Sequence, residues 1–175
     1  MRVYLAGPDV FLPDASARAA ALKAICARHG LTGVSPLDPP DTPPAAWAAL
    51  PEARRIALAN EAHIRACDAL VANLTPFRGP SADAGTVFEI GFMRALGRPV
   101  FGWSNVAEDF LSRTLRFVGQ GARLGPGDTW RDADGMLLES FAMADNLMID
   151  GAILASGGAL DRSRGVRALR RGAGR

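Results

Sequence analysis

The sequence predicts a single α/β domain built on a parallel sheet. Three observations carry this. Short apolar runs recur at residues 3–6, 31–34, 69–74 and 99–101. Those at 3–6 and 69–74 stop at a Gly-Pro or Thr-Pro break, and each of the first three leads on to a stretch of helical spacing, not to a hairpin turn. The whole chain is 175 residues, a length that suits one sizeable core.

The elements follow in order. Residues 3–6 form the first strand, which stops at Gly7-Pro8. Asp14 is placed to cap a helix through about Arg28, with Ala20, Leu22 and Ile25 facing inward, and His29-Gly30 closes it. His29 is then a helix end, not a catalytic base. Residues 31–34 form the second strand. The proline-dense stretch 36–51 is a long stiff loop, of the kind that serves as a lid or binding segment in a compact domain. Its Trp47 has two open readings, closing over a ligand or packing the loop onto the body. Pro51 suits a first helical position, and that helix runs to about Cys67, with Ile56, Ala59, Asn60, His63 and Cys67 on or beside one face.

The third strand, residues 69–74, breaks at Thr75-Pro76 into a polar loop carrying Gly79 and Pro80. An amphipathic helix from about Asp83 to Leu96 follows, Gly97 ends it, and residues 99–101 begin the fourth strand. Beyond Trp103 the pattern weakens. Residues 107–118 read as helical, 119–135 as loop-rich, 136–144 as helical again, and 146–155 as a last helix capped by Asp145 or Asn146. The expected boundaries are one domain over 1–155 and a basic tail over 156–175.

Composition narrows the classes. Nearly half the residues are apolar and 22% are charged, the balance of a soluble globular protein. No run approaches membrane-spanning length and the start has no signal-peptide layout, so the cytoplasm is the expected location. Cys26 and Cys67 lie in helical patterns and read as core residues. No Cys/His cluster points to a metal, and no cofactor is expected. The net charge of +2 conceals an asymmetry: six arginines follow Asp161, and without them 14 bases face 18 acids. A basic tail can bind nucleic acid, but a Gly/Ser/Arg terminus is read here as solvated, with no nucleic-acid partner expected.

The chemistry-bearing residue is Glu89, in the middle of the central helix. Gly85, Phe92, Met93 and Leu96 share its face at spacings of four, three, four and seven. Pattern alone leaves two readings: a carboxylate at the edge of the stripe that reaches water or an arginine, and a functional acid in an apolar pocket opened by Gly85. Parallel strands deliver their loops to one edge, so residues 7–11, residues 75–83 and the start of the central helix converge there. Gly7 and Gly79 allow close backbone approach. A helix N-terminus favours anions, which makes a non-catalytic nucleotide-binding module one hypothesis. The chain lacks a Walker lysine motif and GxGxxG, and Asp83 would repel phosphate. On one helix Asp83 and Glu89 would lie about 9 Å apart and about 120° around the axis, so Asp83 is expected in the loop or at the cap, turned back towards the pocket.

The phrase ANLTPFRGPSADAGTVFEIG resembles the signature of the nucleoside 2-deoxyribosyltransferase family, as do YLAGPDVF, ANEAHIRACDA and the late NLM, in the same order. The resemblance spans about residues 3–155. It implies a flavodoxin-like, Rossmann-like three-layer sandwich with a five-stranded parallel sheet in order 2-1-3-4-5, whose fifth strand the pattern does not place. It implies transfer of 2-deoxyribose between nucleobases, with Glu89 attacking the anomeric carbon and a retaining double displacement. Tyr4 is implied to orient Glu89, Asp9 and Phe11 to contact base or sugar beside Gly7, and Asp83 to bind sugar hydroxyls. Asn60 stands where some members carry an aspartate near the base, so the proton donor to the leaving base is left open. Asn146 is implied to reach a neighbouring subunit's sugar 5′-hydroxyl, hence a homodimer or higher homo-oligomer with shared sites. Related nucleotide hydrolases tend to carry serines at the Asp83 and Asn146 positions, so a nucleoside is expected in preference to its monophosphate. Two alternatives stay open: a nucleoside or nucleotide N-glycoside hydrolase using the same glutamate, and a nucleoside sensor.

Overall fold

The computed structural model describes residues 1–162. Five parallel strands form the main sheet: β1 (Arg2–Ala6), β2 (Thr32–Val34), β3 (Ala69–Asn73), β4 (Val100–Ser104) and β7 (Leu160–Arg162), in spatial order β2-β1-β3-β4-β7. This is the expected 2-1-3-4-5 order, counting the sheet strands alone. Helices α1 (Ala15–Arg28), α2 (Glu52–Ala66), α3 (Ala84–Ala95) and α5 (Leu147–Ala155) flank it. Between β4 and α5 the chain forms α4 (Phe110–Val118) and a small antiparallel hairpin, β5 (Arg123–Gly125) with β6 (Thr129–Arg131).

Strand alternation assigns the two faces. Tyr4, Leu70 and Val100 stand in register across β1, β3 and β4 and are fully buried with Ile64, Ile90, Met93 and Ile153 from the helices. On the opposite face Gly33 lies against Leu5 and against Lys23 and Cys26 of α1, too close for a side chain larger than hydrogen. Gly102 plays the same part on the first face. A Cβ there would stand 2.8 Å from Leu74 and 3.0 Å from Ile153, so glycine lets α5 settle onto β4. Each buried aliphatic of this core contributes about 1.5–3 kcal/mol.

Several expectations need correction. Asp14 precedes α1, but its φ of −106° and ψ of 28° lie outside the extended cap geometry and its carboxylate accepts no cap hydrogen bond. Pro51 is extended and flanks α2 without entering it. Helix α4 begins at Phe110, not 107, because the Asp109 carboxylate caps Ser112 N–H. Residues 136–144 are not helical. Leu138 N–H donates to Trp130 O at 2.8 Å and Leu137 bridges Arg131, so this stretch runs along the hairpin. The fifth sheet strand lies at Leu160–Arg162, inside the stretch read as a basic tail, so the sheet extends beyond residue 155. The remainder of that stretch, 163–175, lies outside the described residues. The cap of α5 is Asn146, whose side chain accepts from Met148 N–H. Among the described residues no helix is long and apolar enough to cross a membrane.

Strand β7 joins the sheet through Gly158, where an added Cβ would fall 1.7 Å from the Val100 carbonyl oxygen. Backbone cannot yield as a flexible side chain would. Gly158→Ala should therefore cost at least ~2 kcal/mol, read as a lower denaturation midpoint. Gly157→Asn, at a position with φ of 80° and open space around it, should cost far less.

Candidate active site

Glu89 sits in the second turn of α3, and the side chain beneath it comes from the other end of the sequence. The Tyr4 hydroxyl on β1 donates to Glu89 Oε1 at 2.7 Å. Tyr4 is fully buried. Helix α3 is pinned over the strand by Ile90 and Met93, both buried in the core, so the contact is set by packing on both sides. Burial is the main cause that pushes the Glu89 carboxyl up to about 7; Asp83 adds to it by repulsion, and the Tyr4 hydrogen bond opposes both. The Tyr4 hydroxyl is itself driven far above its ordinary value, first by burial and then by the facing carboxylate, so it remains a donor.

Asp83 is the N-cap of α3. Its Oδ2 accepts from Thr86 N–H at 3.0 Å and from Thr86 Oγ1 at 3.1 Å. Its charge acts on Glu89 and disfavours ionisation of that carboxyl. Gly7, at φ 153°, carries the chain past β3 so closely that a Cβ would stand 2.7 Å from Asn73 Cβ. That approach lets Asn73 Nδ2 donate to Asp9 Oδ2 at 2.8 Å, while Arg18 Nε donates to Asp9 Oδ1 at 2.9 Å. Asp9 thus has both oxygens engaged within the protein, and Asn73 Oδ1 further accepts from Thr75 N–H at 3.0 Å. Phe11 stacks on Phe77, joining the loops after β1 and β3, with ring centroids 5.1 Å apart.

Asn60 lies on α2, and its Oδ1 is buried without a hydrogen-bond partner. A buried acceptor left open in this way is the kind of group a ligand N–H satisfies. The neighbouring His63, one turn on, holds the proline-dense loop through Nε2 and the Asp38 carbonyl at 2.9 Å. Asn146 stands apart from Tyr4 and Glu89 in its contacts. Its Nδ2 donates to Glu139 Oε1 at 2.5 Å while its Oδ1 caps α5. Among the described residues no group of three or more His, Cys, Asp or Glu side chains could hold a metal ion.

The profile of the family described as nucleoside 2-deoxyribosyltransferase matches residues 3–148. The chain belongs to that family. A 2-desoxiribosyltransferase from Leishmania mexicana has a similar structure, with a TM-score of 0.64 and 27% identity, over 95% of this chain and 92% of that one. A conserved protein from Enterococcus faecalis V583 shares the fold at a TM-score of 0.57 and 23% identity, over 94% and 92% of the two chains. In sequence, an uncharacterized protein of Schizosaccharomyces pombe is 33% identical over 165 residues, 89% of this chain and 78% of that one.

Within this nucleoside 2-deoxyribosyltransferase fold, sequence reasoning missed the group that holds the loop before α3. The Asp145 carboxylate accepts from the Ser81 hydroxyl, from Ala82 N–H at 3.0 Å and from Asn146 N–H at 2.8 Å, and pairs with Arg113 at 3.5 Å. Arg113 in turn donates to the carbonyls of Pro80, Glu108 and Ala144 at 2.8, 2.5 and 2.6 Å. The Asp145 and Arg113 side chains are 1% and 3% exposed, and burial pushes the Asp145 carboxyl up against these partners. The visible signal is the acid beside the NLM phrase, which local pattern offers only as a cap candidate for the last helix.

Because Glu89 is harder to ionise folded than unfolded, its charge opposes folding. The cost sets in as pH rises past the ordinary value of 4.5 and is complete above about 7. Glu89→Gln should be the more stable protein at pH 8 and lose that advantage by pH 4. Tyr4→Phe removes the contact that favours the carboxylate, so a carbon-13 carboxyl titration should place Glu89 near 7 in the wild type and higher in the variant. An unchanged or lower value would show that the hydroxyl does not stabilise the charge.

Proposed function

We propose that the protein transfers 2-deoxyribose between nucleobases through a covalent deoxyribosyl-Glu89 intermediate, with retention of configuration. The observation that carries this reading is the part-buried Glu89 carboxylate held by Tyr4 at 2.7 Å, in a chain of this family. A carboxylate in a site of low polarity is a stronger nucleophile than one in water, provided it is ionised. Tyr4 engages Oε1 and leaves Oε2 for the sugar.

In the first displacement a Glu89 oxygen forms a bond to the anomeric carbon. The carbon–nitrogen bond breaks, its electron pair leaves with the base, and the base takes up a proton. In the second, a ring nitrogen of another base attacks the same carbon, the ester bond returns its pair to Glu89, and the incoming base gives up a proton. Two inversions give retention. The developing positive charge on the sugar is stabilised by the anionic Glu89 and Asp83. A 2-deoxy sugar lacks the hydroxyl that would oppose that charge. Asn60 cannot protonate the base, and its open acceptor suits an N–H on the base edge. Asp83 at the cap suits neutral sugar hydroxyls, as expected for a nucleoside. Asn146 belongs to this reading only if the chain assembles so that it reaches a neighbour's site.

Glu89→Ala should lower kcat/KM by at least about a thousandfold while the fold persists. In the wild type kcat/KM should rise with pH through the titration near 7, since the attacking form is the anion. Deoxynucleoside should disappear faster when a second free base is present, with a new deoxynucleoside formed. Free deoxyribose released at one rate with or without acceptor, and no new nucleoside, would establish a hydrolase in its place. Full activity in Glu89→Ala would remove the mechanism altogether.

A further inference from the structure

One cluster at the edge where the site loops meet has no part in the chemistry above. Arg78 is exposed, and its Cζ lies 4.5 Å from the Phe77 ring centroid and 5.3 Å from that of Phe11. The two rings are stacked, 16° from parallel, and come from different loops. Attraction to the ring faces holds the cation over this pair. Among the described residues Arg78 has no hydrogen bond and no ion pair, so the donors of its guanidinium are unspent.

The backbone points the same way. Arg78 has φ 56°, in the left-handed region that side chains rarely adopt. Gly79 follows directly, and the turn is closed by Phe77 N–H donating to Ser81 O at 3.0 Å. A glycine at 78 would make this turn without strain. An arginine held there against its preference places a planar donor fork above aromatic rings, on the loop that runs from β3 to the Asp83 cap. A latch between the loops uses the face of the guanidinium alone and leaves the donors at its edge free. A fork of parallel donors serves something else: a flat partner with adjacent acceptors.

We infer that Arg78 sets base preference, with Phe11 and Phe77 giving the stacking surface and the guanidinium donating to a ring carbonyl of the base. The inference rests on the nucleobase-transfer reading and deepens it. The favoured bases carry a carbonyl beside a ring-nitrogen acceptor on that edge, as 6-oxopurines do with O6 and N7, over their 6-amino counterparts. Oxo and amino bases differ there in kind: a carbonyl accepts, whereas an amino group donates and would face the donors of Arg78. Recognition of this type is worth about tenfold or more between correct and incorrect bases.

The test uses the full-length protein, with hypoxanthine against adenine as free-base probes in calorimetry. Wild type should bind hypoxanthine at least about tenfold more tightly than adenine. Arg78→Lys keeps the charge over the rings but loses the fork, and Arg78→Gly loses both while relieving the backbone. Both should bring the ratio to within about threefold, with the glycine variant at least as heat-stable as wild type. A ratio unchanged in both variants, an equal loss for hypoxanthine and adenine, or no binding of either base would overturn the inference. Free-base binding needs no turnover, so the two readings fail separately. An Arg78-dependent ratio in a protein that transfers no sugar would sink the transfer reading alone. Transfer with a ratio indifferent to Arg78 would sink this one alone.

Discussion

The hydrogen bond from Tyr4 to Glu89 is the constraint on which the rest of the site depends. It joins residues 85 apart in sequence, at 2.7 Å, between a fully buried strand residue and the second turn of a helix. For it to form, β1 must lie between β2 and β3, and α3 must cross that part of the sheet with Ile90 and Met93 beneath it. Burial makes the Glu89 charge costly; a single hydroxyl offsets part of that cost. The balance leaves a carboxyl that titrates near neutrality, which is where a nucleophile that must be both anionic and reactive is useful.

A second polar group steadies the approach to that helix. Asp145 and Arg113 are both nearly inaccessible, and between them they engage Ser81, Ala82, Pro80 and Ala144. Removing either partner would strand a buried charge, typically at about 3–5 kcal/mol. The pair therefore fixes the loop from Pro80 to Asp83, and with it the carboxylate that raises Glu89. It also ties the start of α5, where Asn146 lies, to the same loop through Asn146 N–H. On the other side, Gly7, Asn73, Asp9 and Arg18 form a chain of contacts that holds the loop after β1.

Much of the fold was legible because each of the first four sheet strands is an apolar run followed by a loop that breaks it. Strand β7 was not. It has three residues, of which Leu160 alone is apolar, and it becomes a strand through pairing with β4 and the tight fit at Gly158. The apolar residues of 136–144 suggest a helix, yet only Leu138 and Ala144 among them are buried, and backbone pairing with Trp130 decides the conformation. In the site, the family motifs singled out Tyr4, Glu89 and Asp83; the Tyr4 hydroxyl bonds Glu89, and Asp83 acts on it through its charge. Arg113 and Asp145 lie 32 residues apart with no periodic sign linking them, so their pairing emerges only from the fold. The resemblance implies a base or sugar contact for Asp9, while its partners Arg18 and Asn73 come from elements that no local pattern couples to it.

The central claim is that Glu89 carries the sugar between bases. It is tested most directly by mixing the protein with a deoxynucleoside in the absence of acceptor, quenching rapidly in acid and mapping the peptides by mass spectrometry. The account predicts one added deoxyribosyl group, confined to the peptide that contains Glu89, discharged when a free base is added before the quench and absent from Glu89→Gln. Steady formation of product with no such adduct, or an adduct on a peptide without Glu89, would contradict it.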